Sequence, residues 1–277
     1  MLGENKENPV PAGVRQKTRS KLDCKGGELC AAKTMTDMTD PSEVRAPSQS
    51  SQHGNATLDG QSGDNDRPMT VIVEGNIGCG KSTLLKYFGD KDNVEVFPEP
   101  VHKWRDLRGE NMLDLFYRDA GRWGCAFESY NQFTLLQEHQ AKTSCRVKLM
   151  ERSLYSGKYC FMESLFDSGK MVVPEYNVLT EWFDWLITTK EVHVDHIVYL
   201  RSTPEQCEKR IMQRSRKEEA GIPLEYLRDL HERHEDWLIR KKFKVPAPVL
   251  ILDATKPLDE MVHQFHELED KLGFHQC

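Results

Sequence analysis

Beyond Pro68 the hydrophobic pattern of the chain switches repeatedly between two periods. Short uninterrupted apolar runs, "TVIVE" (70–74), "VEVF" (94–97), "VKLME" (147–151), "HIVYL" (196–200) and "PVLILD" (248–253), are separated by longer stretches. In those stretches apolar positions recur every three or four residues, as in "PEYNVLTEWFDWLITT" (174–189) and "PLEYLRDLHERHEDWLIRKK" (223–242). A run that is apolar at every position is a strand covered on both faces, the habit of parallel sheets, and the longer pattern is that of amphipathic helices. The alternation predicts one α/β domain over 67–277, a five-stranded parallel sheet flanked by helices. The aromatic residues of 175–186 are expected in the core. "HERHE" (231–235) has its histidines three apart, not the four of a zinc-binding H-E-x-x-H helix, and is expected at the surface.

The first 66 residues break the pattern. They are rich in Ser, Gly, Asp, Asn, Lys and Glu and contain no Phe, Trp or Tyr. Such a segment buries too little apolar surface to offset its ordering entropy, so a disordered tail is predicted for 1–66. It lacks the apolar core of a secretory signal, and early acidic residues such as Glu4 and Glu7 make a poor mitochondrial leader. The expectation is a cytoplasmic chain, with "RQKTRSKLDCK" (15–25) leaving a nuclear address open. "KEN" (6–8) and "RSKL" (19–22) resemble short degradation signals of cell-cycle proteins and are short enough to arise by chance. The formal net charge of −6 gives no support for nucleic-acid binding. No apolar window is long enough to imply a membrane span. The eight cysteines form no C-x-x-C pair and read as reduced thiols.

Chemistry enters after the first strand. "GNIGCGKS", Gly75, Asn76, Ile77, Gly78, Cys79, Gly80, Lys81 and Ser82, matches G-x-x-x-x-G-K-[ST] in full, with a strand before it and a helical "STLLKYF" after it. Glycines let backbone N–H groups turn toward phosphate oxygens, and the helix N-terminus adds its partial positive charge. Lys81 would reach the β- and γ-phosphates and Ser82 would ligate Mg²⁺. A GTPase would add a guanine-reading N-K-x-D, which is absent from the sequence, and D-x-x-G matches such as "DLRG" (106–109) recur too easily to count. A kinase that uses ATP and Mg²⁺ is the leading reading. Polar clusters follow the second, third and fourth strands, at the carboxyl ends where open α/β sheets bind ligands.

Those clusters carry a resemblance. "EGNIGCGKST", "EPVHKWR", "FYRDAGRW", "MERS", "YLRSTPEQC", "RSRKEE" and "LHERHEDWLI" occur in the order found in the deoxyribonucleoside kinases. The chain is most similar to the branch of the insect multisubstrate enzymes and mitochondrial thymidine kinase, from about Thr70 to Asp253. The resemblance implies a phosphate-loop kinase fold with a short arginine-rich lid and transfer of phosphate from ATP to the 5′-hydroxyl of a deoxyribonucleoside. It implies that Glu99 is the general base and that Arg152 holds the 5′-hydroxyl and steadies the transferred group. Glu151 would help Ser82 hold Mg²⁺. Thr83 completes the phosphate loop, and Arg210, Arg214 and Arg216 would close over the triphosphate. Tyr117 and Glu219 would hold the 3′-hydroxyl, while Ile77, Trp104, Leu113, Phe127 and Phe161 would line the base pocket. A homodimer with a contact through the 175–186 helix is also implied.

Where the family normally carries Gln, this chain has Glu128, flanked on the same helix face by Asn131 and Leu135, with Gly157 where a relative has Ala. An ionised Glu is acceptor-only, suiting the two adjacent donors of guanine, whereas a protonated Glu imitates Gln. The expectation is a roomier, more polar pocket shifted toward purine deoxyribonucleosides, deoxyguanosine first. Two other readings stand beside it. One is a nucleoside monophosphate kinase of the thymidylate kinase type, which would need an added phosphate-binding arginine near the acceptor. The other is a nucleotide-binding regulator without turnover, against which Lys81, Glu99 and Arg152 argue.

Overall fold

The computed structural model describes residues 67–214, 216–219 and 221–274. The tail expectations, including its disorder and its short motifs, lie outside the described residues. Five strands, β1 (Met69–Glu74), β2 (Val94–Phe97), β3 (Val147–Glu151), β4 (His196–Arg201) and β5 (Val249–Asp253), pair in parallel in the order β2-β3-β1-β4-β5. Each predicted strand is present, with ends moved by at most one residue. Val71, Ile72 and Val73 of the central strand are all fully buried, which is why β1 reads as an unbroken apolar run.

Alternate residues of the strands feed two cores. Val71, Val73, Leu149, Val198 and Leu200 pack on one face against α1 (Lys81–Gly89). Ile72, Met150, Ile197 and Tyr199 pack on the other against a long bent helix. That helix starts as α5 (Leu154–Ser156), widens to a π-helical stretch over Gly157–Met162 and ends as α6 (Glu163–Asp167). Between β2 and β3 lie α2 (Val101–Arg105), α3 (Met112–Arg118) and α4 (Ala120–Gln140). The α7 helix (Val173–Thr189) precedes β4. The remaining helices are α8 (Pro204–Arg214), α9 (Leu224–His234), which widens into a π turn over Glu235–Ile239, and α10 (Leu258–Leu272). A third cluster, Trp104, Met112, Leu113, Phe116, Phe127, Met162 and Leu165, fills the space between α2, α3, α4 and the bent helix.

Two surface-or-core expectations are corrected. In "HERHE", His234 and Glu235 are buried: His234 follows Leu227 and Leu230 along the apolar stripe of α9, and Glu235 is drawn in by Arg201 at 2.7 Å and the Tyr199 hydroxyl at 2.9 Å. In α7, Leu179, Phe183 and Leu186 are buried in the core and Tyr176 packs against it, but the tryptophans do not. Val178, Trp182 and Trp185 form an exposed stripe on the opposite side, because the same helical spacing carries a second apolar row outward. No helix among the described residues is long and apolar enough to cross a membrane.

Candidate active site

The sheet order places β1 in the middle, with the chain turning to one side for β2 and β3 and to the other for β4 and β5. A crevice opens at the carboxyl end of β1, as expected at such a switch point. The phosphate loop fills it. Gly75 has φ 141° and Gly78 has φ 78°. A Cβ on Gly75 would lie 2.7 Å from the Leu200 carbonyl oxygen, and one on Gly78 would lie 2.7 Å from that of Cys207. Both positions therefore demand glycine for space as well as for conformation. Asn76 ties the loop down, donating to the Leu227 carbonyl at 2.7 Å and accepting from the Ile77 N–H at 2.8 Å. Gly80 caps α1, so the first N–H groups of that helix point at the crevice. Lys81 is curled back on the loop, donating to the carbonyls of Asn76 (3.0 Å) and Gly75 (3.3 Å). Cys79 is buried beneath the loop, and Thr83 is exposed on α1.

The ends of β2 and β3 bring the acid and the arginine together. Arg152 Nε lies 2.8 Å from Glu99 Oε1. The arginine is almost fully buried, with its guanidinium 4.6 Å above the Phe161 ring and an N–H donated to the Gly75 carbonyl at 3.2 Å. Burial opposes its charge, but Glu99, Glu74 and Glu151 outweigh burial and hold it cationic. Its backbone is left-handed, φ 64°, a conformation that costs a non-glycine residue about 1–3 kcal/mol and that gathers at functional sites. Beside it Ser82 Oγ donates to Glu151 at 3.2 Å, and Lys81 Nζ is 4.0 Å from the same carboxylate. Among the described residues no three His, Cys, Asp or Glu side chains gather into a metal cage. One hydroxyl and one carboxylate at the mouth of a phosphate cradle are nevertheless the donor set that Mg²⁺ takes when phosphates and waters supply its other ligands.

One cavity of about 530 Å³ runs from this point to α4. Ile77, Lys81, Ser82, Glu99, Trp104, Leu113, Tyr117, Phe127, Glu128, Asn131, Leu135, Glu151, Arg152, Gly157, Phe161, Arg214, Arg216 and Glu219 all line it. Thus all the residues expected around acceptor and base converge. Trp104 is fixed by its indole N–H, which donates to Thr134 Oγ1 at 2.9 Å, and packs edge-on to Phe127 with centroids 5.5 Å apart. Gly157 and Phe161, four positions apart on one face of the bent helix, both line the cavity, within the stretch that widens to a π-helix.

Glu128 closes the far end, 1% exposed. Its Oε2 accepts from Asn131 Nδ2 at 3.0 Å. Its Oε1 and Asn131 Oδ1 are buried without a hydrogen-bond partner among the described residues. Burial pushes the Glu128 carboxyl up to about 7, against the smaller pull of the Asn131 amide and Arg152. At the other end Tyr117 is held far above its usual range by burial and by Glu219 and Glu99, which places a neutral phenol beside two carboxylates.

Past β4, Arg210 donates to the Cys79 carbonyl at 3.0 Å and so belongs to the loop rather than to the cavity wall. Arg214 and Arg216 both donate to Glu219, the latter at 3.2 Å. Arg105 of α2 holds the neighbouring Glu218 at 2.8 Å and ties this segment across the crevice. The segment is therefore folded over the cavity as a short basic lid.

The deoxynucleoside kinase family model matches residues 71–273. The chain belongs to the deoxynucleoside kinase family. It is 45% identical to mitochondrial thymidine kinase 2 of Homo sapiens over 210 residues, 76% of this chain and 79% of that protein. It is 34% identical to deoxycytidine kinase 2 of Gallus gallus over 221 residues, 69% and 83% of the two chains. It is 34% identical to deoxycytidine kinase of Mus musculus over 226 residues, 70% and 87%. The sheet, the phosphate loop and the cavity of this deoxynucleoside kinase fit together as parts of one phosphotransfer site.

Four further residues of this kinase belong to the site or its support, and the motifs that contain three of them did not mark them out. Phe116 lines the cavity and stacks on Phe127, centroids 4.6 Å apart; its i, i+3 spacing from Leu113 was the available signal. Arg105, next to Trp104, spans to the lid. Tyr226 is buried at its hydroxyl, and burial, with Tyr117 and Glu128 nearby, raises it well above the usual phenol range. Glu74 ends β1 fully buried, and burial pushes it up to about 7, against Arg152, Ser153, Ser156 and Lys81. It opens the "EGNIGCGKST" motif at the end of an apolar strand, and only the fold shows that its carboxyl is buried.

Proposed function

We propose that this deoxynucleoside kinase transfers the γ-phosphoryl group of ATP to the 5′-hydroxyl of a deoxyribonucleoside, with Glu99 as general base. The observation that carries the reading is the Glu99–Arg152 pair, 2.8 Å apart at the strand ends facing the phosphate loop. A hydroxyl placed at this pair donates to Glu99 and accepts from Arg152, so the oxygen is oriented and loses its proton as it attacks. Lys81, the N-terminus of α1 and the lid arginines Arg214 and Arg216 surround the transferring group with positive charge. Ser82 and Glu151 would hold Mg²⁺, which when bound offsets charge on the phosphate oxygens. Tyr117 and Glu219 meet the sugar's 3′-hydroxyl, the phenol donating or accepting and the carboxylate accepting.

Base choice rests on Glu128, Asn131 and Gly157. Asn131 occupies one carboxylate oxygen, which leaves Glu128 Oε1 and Asn131 Oδ1 as two acceptors at the end of the cavity. Two acceptors suit a base edge with two donors, and guanine offers N1–H and its 2-amino group together. Gly157 leaves room beside them, since a Cβ there would already stand 3.5 Å from Asn131 Nδ2. The substrate range is therefore shifted toward purine deoxyribonucleosides, deoxyguanosine first. The exposed Val178, Trp182 and Trp185 stripe of α7, with Phe133 exposed on the neighbouring α4, supports a homodimer built on that face.

Incubating the protein with ATP and either a deoxyribonucleoside or its 5′-monophosphate, and separating the products, tests the reaction. Monophosphate formed from the nucleoside, and no diphosphate formed from the monophosphate, is the expected result. Diphosphate as the main product would instead support the thymidylate-kinase-type reading. Full activity in Glu99→Ala would show the assigned base to be wrong.

A further inference from the structure

We propose that Glu74 and Ser153, neither of which lines the cavity, act as one hydrogen-bonded brace that holds Arg152 in its catalytic position. Arg152 sits at a left-handed backbone position (φ 64°) immediately after β3. A side chain other than glycine stays there only when its surroundings over-determine the turn. On its N-terminal side the Arg152 N–H donates to the Val73 carbonyl of β1 at 3.0 Å. On its C-terminal side the next residue, Ser153, is fully buried and donates its hydroxyl to Glu74 Oε1 at 2.6 Å. Glu74 is the last residue of β1, in register with Tyr199 of β4, and it directly precedes Gly75. It is therefore fixed by the middle of the sheet. The same Ser153 hydroxyl accepts from the Ser156 N–H at 3.4 Å, and Ser156 Oγ accepts from the Ser153 N–H at 3.3 Å, starting α5.

The strained residue is thus clamped between two neighbours on β1, Val73 and Glu74. The guanidinium it presents donates to the following residue, Gly75. Three consecutive residues of β1 and the phosphate loop register Arg152 against the phosphates, and Glu74 is the one that does so through a side chain. Losing the Glu74–Ser153 bond frees the turn to relax toward an ordinary backbone, which withdraws the guanidinium from Glu99 and the loop. Misplacement of a group that acts on the reacting atoms is felt mainly in turnover. Glu74 and Ser153 are positioning residues, since neither touches substrate.

The inference rests on the role assigned above to Arg152, and the experiment separates the two. Steady-state kinetics with a deoxyribonucleoside and ATP are compared for wild type, Ser153→Ala, Glu74→Gln, Arg152→Lys and the Ser153→Ala/Arg152→Lys double variant, with a melting curve for each. Glu74→Gln keeps an acceptor oxygen for Ser153 and serves as the conservative replacement. The expected result is that Ser153→Ala lowers kcat about 10- to 100-fold with the nucleoside KM little changed, while the melting temperature falls by a few degrees because the buried Glu74 carboxyl and the Ser156 N–H lose their partner. Glu74→Gln keeps most of kcat. In the Arg152→Lys background the Ser153→Ala substitution then has almost no further effect on kcat, as for groups acting as a unit. A full kcat in Ser153→Ala, or the same fold loss in both backgrounds, overturns the brace. So does a Glu74→Gln loss as large as that of Ser153→Ala. If Arg152→Lys alone keeps full kcat, the role of Arg152 is refuted and the brace falls with it.

Discussion

Replacing Glu128 with Gln isolates the free energy stored in one buried carboxyl. In the folded protein burial pushes Glu128 up to about 7 from an ordinary 4.5. Between those two values the folded chain keeps a proton that the unfolded chain has released. Folding therefore takes up a proton, and stability falls as pH rises through this window. A shift of about 2.5 units at 1.36 kcal/mol each makes the ionised side chain a liability of about 3 kcal/mol above pH 7, and of almost nothing below pH 4.5. Gln has the same shape, can still accept from Asn131, and does not titrate. Glu128→Gln should then match wild type at pH 5 and exceed it by about 3 kcal/mol at pH 8, or roughly 6–12 °C in melting temperature. Glu74 titrates in the same window but is common to both proteins, so it cancels in the difference. Urea unfolding at pH 5, 6, 7 and 8 measures this directly. A difference that stays flat with pH, or that widens toward acid, refutes the placement of Glu128 as a buried, poorly compensated carboxyl.

Four further outcomes follow from the geometry. Glu99→Gln should lower kcat by about 10²–10⁴ while KM for the nucleoside moves little, the pattern of a lost general base in steady-state kinetics. Gly78→Ala, whose Cβ would meet the Cys207 carbonyl oxygen at 2.7 Å, should abolish ATP binding in calorimetry while circular dichroism shows a folded protein. Gly157→Ala, whose Cβ meets Asn131 Nδ2 at an ordinary 3.5 Å, should fold normally yet lower kcat/KM for purine more than for pyrimidine deoxyribonucleosides. Trp182→Glu with Trp185→Lys should leave the fold intact and convert the protein to a monomer by light scattering, since both rings lie on the exposed stripe of α7.

Much of the architecture was legible because each strand is a continuous apolar run and the phosphate loop has little freedom of composition. Val71, Ile72 and Val73 are a β-branched run that ends at a glycine-rich loop, the mark of a strand buried on both faces. The positions around the acceptor were legible as separated motifs at successive strand ends, and the fold gathers them into one cavity. Other features needed three dimensions. The outward row of Val178, Trp182 and Trp185 has the same residue types as the inward row of Leu179, Phe183 and Leu186, so aromatic content alone could not tell the faces apart. His234 shares the spacing of Leu227 and Leu230, and its burial was readable from period but not from polarity. Glu235 is buried because Arg201 and Tyr199 meet it from β4, a long-range pairing with no local trace. Glu74 and Ser153 meet across 79 positions of sequence for the same reason.

The central claim is that this deoxynucleoside kinase reads its base through Glu128 and Asn131. Its most direct test is kcat/KM for deoxyguanosine, deoxyadenosine, deoxycytidine and thymidine at pH 8, measured for wild type and Glu128→Gln. The account predicts that wild type favours the purines, deoxyguanosine first, and that Glu128→Gln moves the preference toward the pyrimidines. A dominant thymidine preference that Glu128→Gln leaves unchanged would contradict it.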